Sequence, residues 1–161
     1  MDSDKIVFQH STIDKGCDYF TTDKWRKKYH FRISSFPVPS GLLSEALEIV
    51  DENGKREPYS FTILSDYDED EEYAELMLKA KIKKGINQRH LKNENGKLVI
   101  GNDQTLRGRI ESTNGFSETQ FDYYFVIDGK RITIEAFADL IKSFEGWNFK
   151  FQIIDSADDL D

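Results

Sequence analysis

Two acidic motifs carry the sharpest chemistry legible in this chain. Asp66-Tyr67-Asp68 follows an apolar run, and Asp155-Ser156-Ala157-Asp158-Asp159 lies near the C-terminus. In a magnesium-dependent phosphatase one aspartate attacks phosphorus while further carboxylates hold the metal, and Asp66, Asp68 and Asp155 are the candidates for those roles. A predicted hairpin precedes Asp66 where that chemistry ordinarily sits on a parallel sheet. Asp66, Asp68 and Asp70 also open like a calcium loop, but Glu71 stands where the loop needs glycine and Met77 where it needs a bidentate glutamate.

The other chemistry-bearing residues are sparse. His10, Cys17, His30 and His90 are the only soft ligands, and their separations match no zinc module. No glycine-rich phosphate loop, GxSxG or HExxH occurs. KWRKKYHFR places Lys24, Trp25, Arg26, Lys27 and Lys28 together, a mixture that suits stacking on bases and contact with phosphates. Arg107 and Arg109 are further candidates for such contacts. No metal and no cofactor is expected.

The elements that must position these residues follow from periodicity. Residues 29–36 alternate as a strand that Pro37 and Pro39 are expected to end. Leu47 and Ile49 sit in a strand ending near Asp51, Asn53-Gly54 marks a turn, and 59–64 return as its partner. A helix is predicted over 70–88, with Tyr73, Leu76, Met77 and Ala80 on one side and Leu78, Ile82 and Ile86 nearly opposite. Two apolar sides on one helix mean that a second segment or a partner must cover one of them. Strands are expected at 97–100 and 105–111, with Asn114-Gly115 in a polar loop.

The stretch from Phe121 to Ile154 is the expected core. Phe121, Tyr123, Phe125 and Ile127 share one face of a strand, Asp128-Gly129 suits a type I′ turn, and 130–132 fold back. Thr133 caps a helix whose face is Ile134, Phe137, Ile141 and Phe144, and Gly146 stops it. Trp147, Phe149, Phe151 and Ile153 then alternate with Asn148, Lys150 and Gln152 as a final strand. The expectation is that these aromatics shield one another from water.

Composition bounds the rest. A chain of 161 residues with 38% hydrophobic and 13% aromatic residues can bury a core despite 32% charged residues. The net charge of −8 argues against a dedicated nucleic-acid binder. Seven carboxylates crowd 66–75, whereas 24–32 holds five basic residues and no acid. The first ten residues lack a basic leader and an apolar run, no window approaches a membrane span, and a single cysteine forms no internal disulfide, so a cytoplasmic protein is expected.

The segments HFRISSFPVPSG and LEIVD, LRGRI, VIDGKRITIEAF and FEGWNFKFQIID resemble an uncharacterised bacterial family, a domain of unknown function, over 29–155. Family members often carry tryptophan where this chain has Ile134, and some carry a cysteine-rich N-terminal segment that is absent here, so no metal role carries over. The resemblance implies a shared fold and no activity.

The expected architecture is α+β, a mixed or mainly antiparallel sheet with two helices, in an N-terminal arm (1–22), one domain (23–155) and an acidic tail (156–161). The leading expectation is a non-enzymatic interaction protein of accessory or immunity type, with a protein partner or a second copy meeting Tyr73, Met77, Leu78, Ile82 and Ile86. The alternatives are nucleic-acid contact through 24–32 and the phosphatase.

Overall fold

The computed structural model describes residues 16–51, 56–113 and 123–158. The fold is α+β: strands β1 (Cys17–Thr22), β2 (Lys28–Val38), β3 (Gly41–Glu48) and β4 (Ser60–Ser65), then helix α1 (Glu71–Ile86). Strands β5 (Leu91–Glu94), β6 (Lys97–Ile100), β7 (Arg109–Ser112), β8 (Tyr123–Ile127) and β9 (Lys130–Thr133) precede helix α2 (Ile134–Ile141) and a 3₁₀ turn, Lys142–Phe144. All three sheets are antiparallel, ordered β1-β2-β3-β4, β5-β6 and β7-β8-β9. Contacts divide the described residues into two compact units. One unit comprises 16–51, Pro58–Asn87 and 154–158. The other comprises 56–57 and 88–153.

In the first unit, β1 to β4 form a meander whose inward face meets α1. Alternation dictates that face: Tyr29, Phe31 and Ile33 of β2 and Ala46 of β3 are buried with Leu78, Ile82 and Ile86, and Tyr19, Tyr59, Phe61 and Ile63 complete the cluster. Asp70 caps α1, its carboxylate accepting from the Glu72 amide at 3.1 Å. Gly85 lets the last turn approach the sheet, because a Cβ there would lie 2.3 Å from Phe61 Cε1. The expected arm is in part a strand, since Cys17–Thr22 pairs with β2 along its length. Pro37 does not end β2 but pairs with Leu42 inside it. The β1 ladder stops at Ile33, so no β1 residue opposite Pro37 calls for an amide hydrogen. Ile49 falls just beyond β3 and is exposed.

The second unit buries Leu91, Ile127, Ile132 and Leu140, with Leu98, Ile100, Leu106, Phe125, Ala136 and Phe137 packed around them. The β8–β9 turn forms as expected: Asp128 and Gly129 both take positive φ, +54° and +72°. Thr133 caps α2 by accepting from the Ala136 amide at 3.1 Å, and Gly146 follows the helical segment at φ +87°. Three expectations are corrected, and one strand appears where none was expected. Strand β5 pairs with β6 although its sequence, LKNE, carries little apolar signal. Residues 105–108 are not in a strand, and β7 starts at Arg109. The inner face of α2 is Ala136, Phe137 and Leu140, whereas Ile134 and Ile141 are exposed. Residues 147–153 form no strand. Asn53-Gly54, Asn114-Gly115 and Phe121 lie outside the described residues.

Candidate functional site

The acidic motifs settle into local turns. Asp66 accepts the Glu69 amide on its carbonyl at 3.1 Å, just ahead of the α1 cap. Asp155 accepts the Ala157 amide at 2.9 Å in a turn of its own. That turn is held by Lys81, whose Nζ donates to the carbonyls of Thr62 at 2.8 Å and Asp158 at 3.0 Å. Among the described residues no three His, Cys, Asp or Glu side chains form a group that could hold a metal ion, and Asp66, Asp68 and Asp155 belong to no such group.

Cys17 is exposed at the start of β1, its Sγ 3.6 Å from Glu75 Oε1. Burial, then the Glu75 carboxylate, pushes its thiol pKa up, which keeps it protonated and poorly nucleophilic at neutral pH. His30 stacks on Phe20 with ring centroids 4.3 Å apart and meets Asp18 at 2.8 Å. Hydrogen bonds from His30 and Arg32 hold the Asp18 carboxyl below its usual range. His10 lies outside the described residues.

His90 is the one buried histidine among the described residues, and its Nδ1 has no hydrogen-bond partner among them. Burial pushes its pKa down, Asp128 opposes that shift and Arg107 reinforces it. The sign follows directly. A base whose folded pKa is depressed destabilises the fold once the unfolded imidazole takes up a proton, below about pH 6.5. The urea midpoint is therefore expected to fall between pH 7.5 and 5.5, with a flatter decline in His90→Gln. An equal slope in that variant would remove His90 as the cause. Asp18 contributes in a separate, more acid window, because stability from a depressed carboxyl is lost only as pH drops through its folded pKa.

The basic residues divide between the two units. Lys24, Trp25, Arg26, Lys27 and Lys28 are all exposed on the turn joining β1 to β2. Buried Asp23 shapes that turn, its carboxylate accepting from the Trp25 amide at 2.8 Å, the Lys27 amide at 2.9 Å and the Tyr29 hydroxyl at 2.9 Å. Lys24 Nζ lies 4.6 Å from the centroid of the Trp25 ring. Arg107 and Arg109 belong to the second unit, where Arg109 pairs with Glu111 at 2.7 Å.

The expected partner face is only half available. Leu78, Ile82 and Ile86 are fully buried against the sheet of their own chain, which removes them as contact residues. The opposite side of α1 stays open: Tyr73 is 52%, Leu76 63% and Met77 47% exposed. Leu76, absent from the expected contact set, is the most open of the three. Its position between Tyr73 and Ala80 at helical spacing was the available signal.

The largest departure is at the C-terminal aromatics. Trp147 is 62%, Phe149 92%, Phe151 61% and Ile153 73% exposed, in a segment with no sheet partner among the described residues. Its ends are anchored. The Trp147 amide donates to the Phe144 carbonyl at 2.9 Å with the two rings edge to face, and Ile153 leads into the turn that Lys81 holds.

Residues 17–87 match the model of a domain of unknown function (DUF7686), and residues 89–158 match that of a second (DUF7713). The junction falls at Gln88, where the longer segment of the second compact unit begins. No curated protein and no solved structure matches the chain. No helix among the described residues is long and apolar enough to cross a membrane.

Proposed function

We propose that this chain is a non-enzymatic protein-interaction module of accessory type, and that 147–153 is the element it offers to a protein partner. One observation carries this: four large apolar side chains at period 2 stand in water on a segment that has no ladder among the described residues. Covering each is worth roughly 1.5–3 kcal/mol, a gross driving force of roughly 6–12 kcal/mol before the costs of association. Beyond the Trp147 amide, the backbone groups of 147–153 have no hydrogen-bond partner among the described residues and suit addition to the edge of a partner's sheet. A cytoplasmic setting is part of the proposal, supported by the exposed thiol of Cys17.

A photocrosslinking side chain at position 149, activated in lysate of the source cells, tests it. The expected result is a discrete protein adduct that disappears when Trp147 and Phe151 are both replaced by serine. No discrete adduct, or one indifferent to those replacements, would overturn it.

A further inference from the structure

The open side of α1 shows a second surface, distinct in its residues from 147–153. Its exposed positions run along the helix as an acid in the first turn (Glu72), an apolar middle (Tyr73, Leu76, Met77, Ala80) and a basic last turn (Lys83, Lys84). Acids at the N-terminal end and bases at the C-terminal end favour any single helix through its dipole. Turned end for end, this face is complementary to itself.

We infer that the occupant of this face is a second copy of the chain, docked with the two α1 helices antiparallel about a two-fold axis. In that register Glu72 of one copy faces Lys84 of the other, Tyr73 faces Lys83, and Leu76 faces Ala80. Each contact occurs twice, as an isologous interface requires. Glu72 and Lys84 are about 18 Å apart along the helix, so the two charge pairs flank the apolar middle and keep its centre dry. Ala80 at the centre is small enough for the helices to approach to the 8–10 Å of ordinary helix packing. The lysine stem lies along the Tyr73 ring with its ammonium at the rim. A parallel arrangement sets acid on acid and base on base, and is disfavoured by like charge. The face of a 16-residue helix is smaller than the roughly 800 Å² per partner of a standard interface, so the association is reversible and depends on concentration.

Sedimentation equilibrium of the full chain, over protein concentrations from about 1 µM to about 1 mM, tests this. The wild type is expected to move from monomer to twice that mass across the range. Leu76→Glu, a change at an exposed helix position that leaves the core untouched, is expected to weaken self-association at least tenfold. Two charge variants make the antiparallel register itself testable. Glu71→Lys/Glu72→Lys presents bases at both ends of α1, and Lys83→Glu/Lys84→Glu presents acids at both ends. Each alone is expected to stay monomeric, while the equimolar mixture forms a mixed dimer that added salt dissociates. Circular dichroism confirms that each variant retains its helices. A wild type that stays monomeric throughout overturns the inference, as does self-association unchanged in Leu76→Glu or a mixture of the charge variants that stays monomeric. Because none of these substitutions touches 147–153, such a failure leaves the proposed function standing, and the crosslinking test leaves this inference untouched.

Discussion

Phe31→Ala is expected to cost about 3–5 kcal/mol, while Phe149→Ala leaves the unfolding midpoint nearly unchanged. Phe31 is fully buried in the middle of β2, its ring 6.0 Å from that of Phe61 and 6.3 Å from that of Tyr29. Truncation removes the transfer energy of a benzyl group. It also leaves a cavity between sheet and helix that Leu78 and Ile82 cannot collapse to fill, because each is already packed on all sides. Against a total stability of typically 5–15 kcal/mol, that loss brings the first unit close to unfolding at physiological temperature. Phe149 is nearly as exposed in the folded chain as in an unfolded one, so its removal costs little. Urea denaturation followed by circular dichroism separates the two. Similar losses for both variants would mean that the C-terminal aromatics are packed after all, and the proposed function would fall with that result.

Asp128→Ala is expected to cost about 4–8 kcal/mol through two additive effects. The carboxylate accepts the Leu91 amide at 2.8 Å and the His90 amide at 2.8 and 3.1 Å through its two oxygens, tying the start of β5 to the β8–β9 turn. Hydrogen bonds to a charged acceptor contribute about 1.5–3 kcal/mol each, and the amides left behind stay poorly solvated. Asp128 also holds φ at +54°, a conformation that aspartate and asparagine tolerate and alanine resists by about 1–2 kcal/mol. Asp128→Asn keeps the turn and one acceptor oxygen, so its cost is expected to be about half. Hydrogen exchange reads the local effect: the His90 and Leu91 amides exchange faster in Asp128→Asn and faster still in Asp128→Ala. Unchanged exchange at both amides in the alanine variant would show that the carboxylate does not hold them.

Much of the local structure was legible in the residues themselves. Asp128-Gly129 names its turn because few other pairs accept two positive φ angles, and Thr133 names a helix start because its hydroxyl replaces a missing backbone partner. Strand β2 reads as a strand because Tyr29, Phe31 and Ile33 alternate with polar residues on a face that is in fact buried. Strand β5 escaped notice for the converse reason: in LKNE the ladder to Lys97–Ile100 carries the pairing, and the apolar signal comes almost entirely from the partner strand. The candidate site was harder still. Asp23 stands beside a run of bases and looks like one more surface charge, yet it is buried, because three donors from its own hairpin converge on it.

The α+β class, the Thr133 cap and the Asp128-Gly129 turn were legible in the chain, since each local feature depends on residues within a few positions of one another. Which side of α1 faces inward is settled by packing. Both sides are apolar, and the sheet of β1 to β4 offers a face for just one, which Ala74, Leu78, Ile82 and Ile86 occupy. Packing likewise decided the fate of Trp147, Phe149, Phe151 and Ile153. Alternating apolar residues state that a segment can be a strand; whether it becomes one depends on a neighbour with free amides and carbonyls, and no stretch of chain encodes its neighbour locally.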